Sequence, residues 1–228
     1  RKRNYIHMNK LNHIAFIMDG NGRWGKKKGK SRNFGHKSGA DVVKNIVKLG
    51  LKIKIPILTF YVFSAENWKR PKNEINFLFG LISNYFNSEI DNVVKNGIKL
   101  NIIGQQNKLP VKLKNILNNV ILKTKKNKKI VINLAINYGS KHEILNAVQK
   151  IKNSKKININ KINSNLYTSG QPDPEILIRT GGKKRLSNFL LWQLAYTELF
   201  FLDKLWPEFN EIDLKKIIKK YHQIKRNF

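Results

Sequence analysis

Short apolar runs alternate with longer amphipathic segments along most of the chain, and this alternation limits the fold more than any other feature. His13–Met18 reads as a first strand. Ile55–Phe63 is almost continuously apolar and rich in β-branched and aromatic residues, the pattern of a strand buried on both faces. Ile98–Ile103, Ile130–Ile136, Glu175–Arg179 and Thr197–Phe201 supply further strands. Between them, helices are expected over Gly35–Leu49, Asn73–Lys95, Pro110–Leu122 and Lys141–Ile151, with a last one over Glu211–Gln223. In the second of these, Ile75, Leu78, Phe79, Ile82, Phe86 and Ile90 recur at three- and four-residue steps, which places them on one helical face. Strand–helix alternation predicts an α/β fold with a mostly parallel central sheet of about six strands flanked by helices.

The chain has 228 residues, 41% of them hydrophobic, enough for one sizeable core, and no Pro/Gly/Ser-rich linker divides it. A single domain over 1–228 is expected, with 1–10 as an N-terminal tail and the Lys/Asn/Ser-rich stretch 152–169 as surface loops. No uncharged apolar run approaches the roughly 20 residues of a membrane span. The chain begins at Arg1 and not Met, which leaves room for an upstream targeting segment. With no Cys, disulfides, Cys nucleophiles and thiolate metal sites are excluded. The formal charge of +31 favours anionic partners, but runs such as Lys123–Lys129 read equally well as solvated loop, so charge alone decides little.

In parallel sheets ligands bind beyond the carboxyl ends of the strands, which directs attention to 19–32, 64–74, 137–142 and 179–187. Asp19-Gly20-Asn21-Gly22-Arg23-Trp24-Gly25 follows a strand and fits G-x-G-x-x-G, while Gly20 to Lys26 fits most of a phosphate loop. Lys27 stands where that loop needs Ser or Thr. The dinucleotide pattern wants an acid at the end of the second strand, and here that strand ends at Phe63-Ser64. No helix is expected to open directly at these glycines, and a purely structural glycine turn remains a competing reading. The firmer inference is that backbone N–H groups and Arg23 face a phosphate, with Asp19 bridged to it by a divalent cation. A second loop, Ser64-Ala65-Glu66-Asn67-Trp68-Lys69-Arg70-Pro71, leads into the long helix. A third, from Arg179 to Asn188, sets Arg179, Arg185 and Ser187 around Gly181-Gly182. Two separate Arg/Gly loops suggest two phosphate sites, and so a transferase joining two phosphorylated substrates.

Taken in order, the block from His13 to Trp24, Phe34-Gly35-His36, the block from Phe63 to Pro71, Asn137-Tyr138-Gly139 and the block from Ile178 to Phe201 closely resemble the motifs of cis-prenyltransferases, the undecaprenyl and dehydrodolichyl diphosphate synthases. The resemblance spans Leu11 to about Pro207. It implies an enzyme that condenses isopentenyl diphosphate with an allylic diphosphate primer, farnesyl diphosphate foremost, to give a cis-polyprenyl diphosphate for lipid-carrier synthesis. It also implies a hydrophobic product tunnel between the sheet and the 35–49 and 73–95 helices, and a product of medium length.

By the same resemblance, Asp19 is the essential carboxylate and handles Mg2+, with Glu198 assisting at the metal. Gly20, Asn21, Gly22, Arg23 and Arg32 hold the allylic diphosphate, with Trp24 and His36 lining its site. Arg179, Arg185 and Ser187 hold the diphosphate of isopentenyl diphosphate. Ser64, Glu66, Asn67, Trp68 and Arg70 position the reacting groups, Asn67 as the family's proposed proton acceptor. A homodimer and cytoplasmic or peripheral-membrane location, for instance at the endoplasmic reticulum, are also implied; nucleic acid is not an expected partner. Two departures stand out. Lys183 and Lys184 follow Arg179-Thr180-Gly181-Gly182 where the family often has an acid and then His or Gln. The chain also ends at Phe228 where the family commonly continues into an Arg-x-Gly tail, with Arg226 as its remnant. The rival readings are a nucleotide phosphotransferase using 20–26, a charge-driven nucleic-acid module, and an inactive regulatory subunit of the same fold. The missing Ser/Thr counts against the first. The second leaves Asp19, Glu66 and Glu198 without a purpose, and Asp19 itself argues against the third.

Overall fold

Every expected strand forms, and each pairs in parallel with its neighbours. The computed structural model describes residues 11–225, so the 1–10 tail and Arg226 lie outside the described residues. In chain order the elements are β1 (His13–Ile17), α1 (Asn21–Lys27), α2 (Arg32–Lys52), β2 (Ile57–Ser64), a 3-10 turn (Ala65–Lys69), α3 (Lys72–Lys95), β3 (Ile98–Ile103), α4 (Val111–Thr124) and β4 (Ile130–Tyr138). They continue with α5 (Ser140–Ile151), α6 (Ile159–Asn163), β5 (Ile176–Arg179), β6 (Glu198–Phe201) and α7 (Glu211–Gln223).

The six strands are ordered β3-β4-β2-β1-β5-β6, with every pairing parallel. Because strand side chains alternate between faces, Ile14 and Phe16 enter one core while Ala15 and Ile17 enter another. The larger core is closed by α2, α3, α4 and α7 through residues such as Ile46, Leu78, Leu117 and Leu214. On the other face Tyr138 and Leu177 pack with Phe189, Leu190 and Leu194 from the chain that follows β5. Burial on both faces explains why β1, β2 and β4 read as nearly continuous apolar runs.

The topology delivers the ends of β1, β2, β4 and β5 to one edge of the sheet. A register shift in the β2–β4 pairing between Tyr61 and Ser64 bends the end of β2 and aims the following turn.

Three local features differ from expectation. The 20–27 segment, expected as a loop, is helical from Asn21, with Gly20 at φ 111 as its N-cap. Gly22 and Gly25 are poor helix formers; tertiary packing overrides propensity, since both are buried beneath α2. The helix that does open at the glycines removes one objection to a dinucleotide loop, but β2 still ends at Ser64. The next helix starts at Arg32, ahead of Gly35, because Ser31 caps it by accepting from the Phe34 N–H at 3.2 Å. Arg32 and His36 therefore stand one turn apart on the same helix. The 152–169 stretch contains α6 and buries Leu166 and Thr168. No described helix is long and apolar enough to cross a membrane.

Candidate active site

Asp19 leaves the carboxyl end of β1. Gly20 must be glycine: its φ lies in the left-handed region, and a Cβ would stand 2.8 Å from Leu205 Cδ2. The Asp19 carboxylate accepts from Arg179 Nη2 at 3.0 Å and from Arg23 Nη2 at 3.2 Å. Arg179, at the end of β5, is buried at 4% side-chain exposure, whereas Asp19 is 31% exposed. Arg179 also donates to Ser187 Oγ at 2.8 Å and to the Arg185 carbonyl. Arg23 reaches the Gly181 carbonyl at 2.7 Å, and the buried Thr180 hydroxyl donates to the Asp19 carbonyl at 2.8 Å. The first and third loops are thus one structure, with Asp19, Arg23, Arg179 and Ser187 together. Arg185 extends into solvent beside them.

A second cluster forms around Glu74 in the first turn of α3. Its carboxylate accepts from Arg32 Nε at 3.1 Å and Nη2 at 3.2 Å, His36 Nε2 at 3.1 Å and Arg70 Nη1 at 3.1 Å. Burial works against the charged form of Glu74, but the hydrogen bonds from Arg32 and His36 and the nearby arginine charges outweigh it and hold the carboxyl below its ordinary range. Burial also lowers the His36 pKa, opposed only in part by Glu74. The ring is therefore neutral at pH 7, and since an ionised carboxylate can only accept, Nε2 carries its proton. Gly22 is the bed for Arg32: a Cβ there would lie 2.6 Å from the guanidinium carbon.

The second loop folds as the 3-10 turn. The Ser64 N–H donates to Asn67 Oδ1 at 3.2 Å. Glu66 accepts from Asn188 Nδ2 at 2.9 Å, which ties this turn to the third loop. Burial raises the pKa of Glu66, but its hydrogen bonds from Asn188, its own backbone and Ser64 lower it overall. Trp68 donates from Nε1 to Asn137 Oδ1 at 2.8 Å and packs edgewise on Phe63 and Phe79. Trp24 stacks on Phe34 with centroids 5.7 Å apart.

Between the sheet, α2 and α3 lies an apolar cavity of about 160 Å³. Val43, Val47, Leu78, Ile82 and Leu134 line it, and its polar end is formed by Asn21 and His36. Asn21 Oδ1 is buried without a hydrogen-bond partner at that end.

Glu198 stands apart from these residues. It opens β6 in register with Ile176, while Arg179 is in register with Phe201. Glu198 is thus at the amino edge of the sheet, roughly 10 Å back along the strands from the end occupied by Arg179, and does not converge with Asp19 in this chain. Among the described residues no group of three or more His, Asp or Glu could hold a metal. Asp19 offers hard, partly exposed oxygens, a donor set that suits Mg2+ held by one carboxylate together with substrate phosphates.

Sequence reasoning missed Glu74, Thr180, Asn188 and the side-chain role of Asn137. Only Glu74 left a trace, as an acid four residues after Arg70 at the start of a helix.

Residues 17–228 match the undecaprenyl diphosphate synthase family model. The isoprenyl transferase of Oceanobacillus iheyensis is 42% identical over 95% of this chain and 89% of its own length. That of Fusobacterium nucleatum is 44% identical over 95% of this chain and 94% of its own. The lavandulyl diphosphate synthase of Lavandula x intermedia, solved with dimethylallyl diphosphate, superposes with a TM-score of 0.90 at 31% identity, covering 95% of this chain and 97% of that one. A probable undecaprenyl diphosphate synthase from Campylobacter jejuni gives 0.83 at 34%, covering 97% and 99%. The chain belongs to the undecaprenyl diphosphate synthase family, and with it to the prenyl transferase enzymes.

Proposed function

We propose that this enzyme condenses isopentenyl diphosphate with an allylic diphosphate, farnesyl diphosphate foremost, and repeats the step to build a cis-polyprenyl diphosphate of medium length for a lipid carrier. The observation that carries the reading is an apolar cavity whose polar end adjoins a cluster of arginines. A prenyl chain has that division: a multiply charged head and an apolar tail that gains about 0.8 kcal/mol for each CH2 buried.

In this reading Arg32, Arg70 and the α1 backbone hold the primer's diphosphate, while Arg179, Arg185 and Ser187 hold that of isopentenyl diphosphate. Asp19 would hold Mg2+, which would offset the charge that grows on the leaving group. Arg23 and Arg179 hold Asp19 in place for that task. As the allylic carbon–oxygen bond breaks, diphosphate departs and the isopentenyl double bond attacks the allylic carbon. A proton then leaves the new chain to give the cis olefin. An amide is a poor base, so the proton goes to a diphosphate oxygen or water, with Asn67, whose carbonyl accepts from the Ser64 N–H, orienting the turn. A homodimer and peripheral membrane attachment belong to the same reading.

The test is incorporation of radiolabelled isopentenyl diphosphate into butanol-extractable product, with Mg2+ and farnesyl diphosphate. Chain-length ladders in which each step adds one five-carbon unit are expected. Folded enzyme that yields none, with farnesyl or dimethylallyl diphosphate as primer, would refute the proposal.

A further inference from the structure

The two charged clusters are built with opposite polarity. At Asp19 the arginine from the sheet is buried and the carboxylate is partly exposed. At Glu74 the carboxylate is buried, with side-chain exposure of 9%, and the guanidinium groups face outward, Arg32 at 44% and Arg70 at 33%. The exposed member of a charged pair is the one an incoming ligand meets first. The first cluster therefore presents its carboxylate beside one exposed guanidinium, Arg23 at 48%, and the second presents two guanidinium groups over a buried carboxylate.

The geometry points to Glu74 as a positioning residue for the primer's diphosphate, acting through Arg32 and Arg70; this rests on the proposed prenyl transfer. Arg32 gives Glu74 its Nε and Nη2 edge, which leaves Nη1 directed away from the carboxylate. Arg70 spends only Nη1, leaving Nε and Nη2 for a ligand. A guanidinium fixed along one edge offers the other in a set plane, the arrangement that suits bidentate phosphate recognition. Glu74 also joins separate parts of the chain: Arg32 and His36 belong to α2, Arg70 follows the 3-10 turn, and Glu74 itself opens α3. One carboxylate thereby brings together two arginines that loop entropy would otherwise leave to find each other. His36 carries the link onward, since it bonds Glu74 and lines the polar end of the cavity. Glu74 is already filled by four hydrogen bonds, so substrate contact falls to the arginines.

The experiment compares wild type, Glu74→Gln and Glu74→Asp. Calorimetry measures the Kd of farnesyl thiolodiphosphate, an unreactive allylic analogue, and steady-state kinetics measure KM for isopentenyl diphosphate. Glu74→Gln weakens analogue binding about tenfold, equivalent to about 1.4 kcal/mol, while KM for isopentenyl diphosphate changes less than about twofold. Glu74→Asp, which keeps the charge but cannot reach all three partners, recovers part of the loss and carries the readout if the Gln variant does not fold. Unchanged or tighter analogue binding would overturn the inference, because the arginines would then need no guide or Glu74 would compete with substrate. Equal losses for both substrates would overturn it too, by reducing Glu74 to a structural tie. Wild type that binds the analogue but never turns over sinks the proposed reaction, and the analogue Kd, compared with calorimetric binding of isopentenyl diphosphate, still reads the Glu74 variants.

Discussion

The Asp19 and Glu74 clusters use the same side-chain chemistry turned inside out. Each joins one carboxylate to arginines from other elements, yet in one the strand arginine is sealed in and in the other the carboxylate is. In the proposed reaction, burying the cation anchors the anion for a metal or its phosphate, and burying the anion aims the cations at a diphosphate. The difference arises in the fold. Arg179 ends a strand inside the sheet, and its side chain is walled in by the Arg185–Ser187 turn. Arg32 and Arg70 belong to a helix start and a turn, where long side chains keep their heads in water.

The largest effect should come from the exposed carboxylate. Asp19→Asn keeps an acceptor for Arg179 but removes the charge, so kcat should fall by about three orders of magnitude, the scale seen when a preorganised electrostatic group is lost. Far-UV circular dichroism should remain close to wild type, while melting falls because the buried Arg179 loses its charged partner. A rise in primer KM with kcat preserved would show that Asp19 and Glu74 serve the same task, and the contrast between the clusters would collapse.

A smaller effect separates the arginines by burial. Arg179→Met removes the partner of a buried pair, which costs several kcal/mol in a sealed interior; with Asp19 free to turn to water, about 2–3 kcal/mol of stability is expected. Arg32→Met, on the exposed side of its pair, should cost less than about 1 kcal/mol. Urea denaturation midpoints at fixed pH and salt decide it, and equal losses would mean that burial does not distinguish the two clusters.

How much of this arrangement the sequence revealed depends on the range of the interactions. The continuous apolar runs of β1, β2 and β4 and the three-to-four-residue steps of Ile75, Leu78, Phe79, Ile82 and Phe86 are local, and the sheet and α3 follow from them directly. Helix α1 was hidden because Gly22 and Gly25 argue against a helix until α2 packs on them. Family order supplied Asp19 and the arginines, but spacing could not tell that Glu198 opens its strand at the far edge from Asp19. Nor could it find Glu74, whose main partner lies 42 residues away and which alone looks like an ordinary acid in a first helical turn.

The smallest effect on stability tests where the cavity yields. At about 160 Å³ the cavity is smaller than the roughly 300–1,000 Å³ of typical ligand pockets, so a lengthening chain has to widen it. The sheet side is fixed by strand hydrogen bonds, whereas α2 and α3 meet through side chains alone. Across that seam Lys44 Nζ contacts Glu89 at 3.1 Å and lies 4.9 Å from the Tyr85 ring centroid, with Lys44 and Tyr85 both lining the cavity. The pair is about one-third exposed on each side, and exposed ion pairs contribute little. Each added five-carbon unit gains more than that by burial, at about 0.8 kcal/mol for each CH2, so growth can part the seam. Lys44→Leu should therefore leave the urea denaturation midpoint close to wild type while shifting the product ladder to longer chains, read by thin-layer chromatography. An unchanged ladder would place the yielding wall elsewhere, and a shorter one would mean that the ion pair props the seam open.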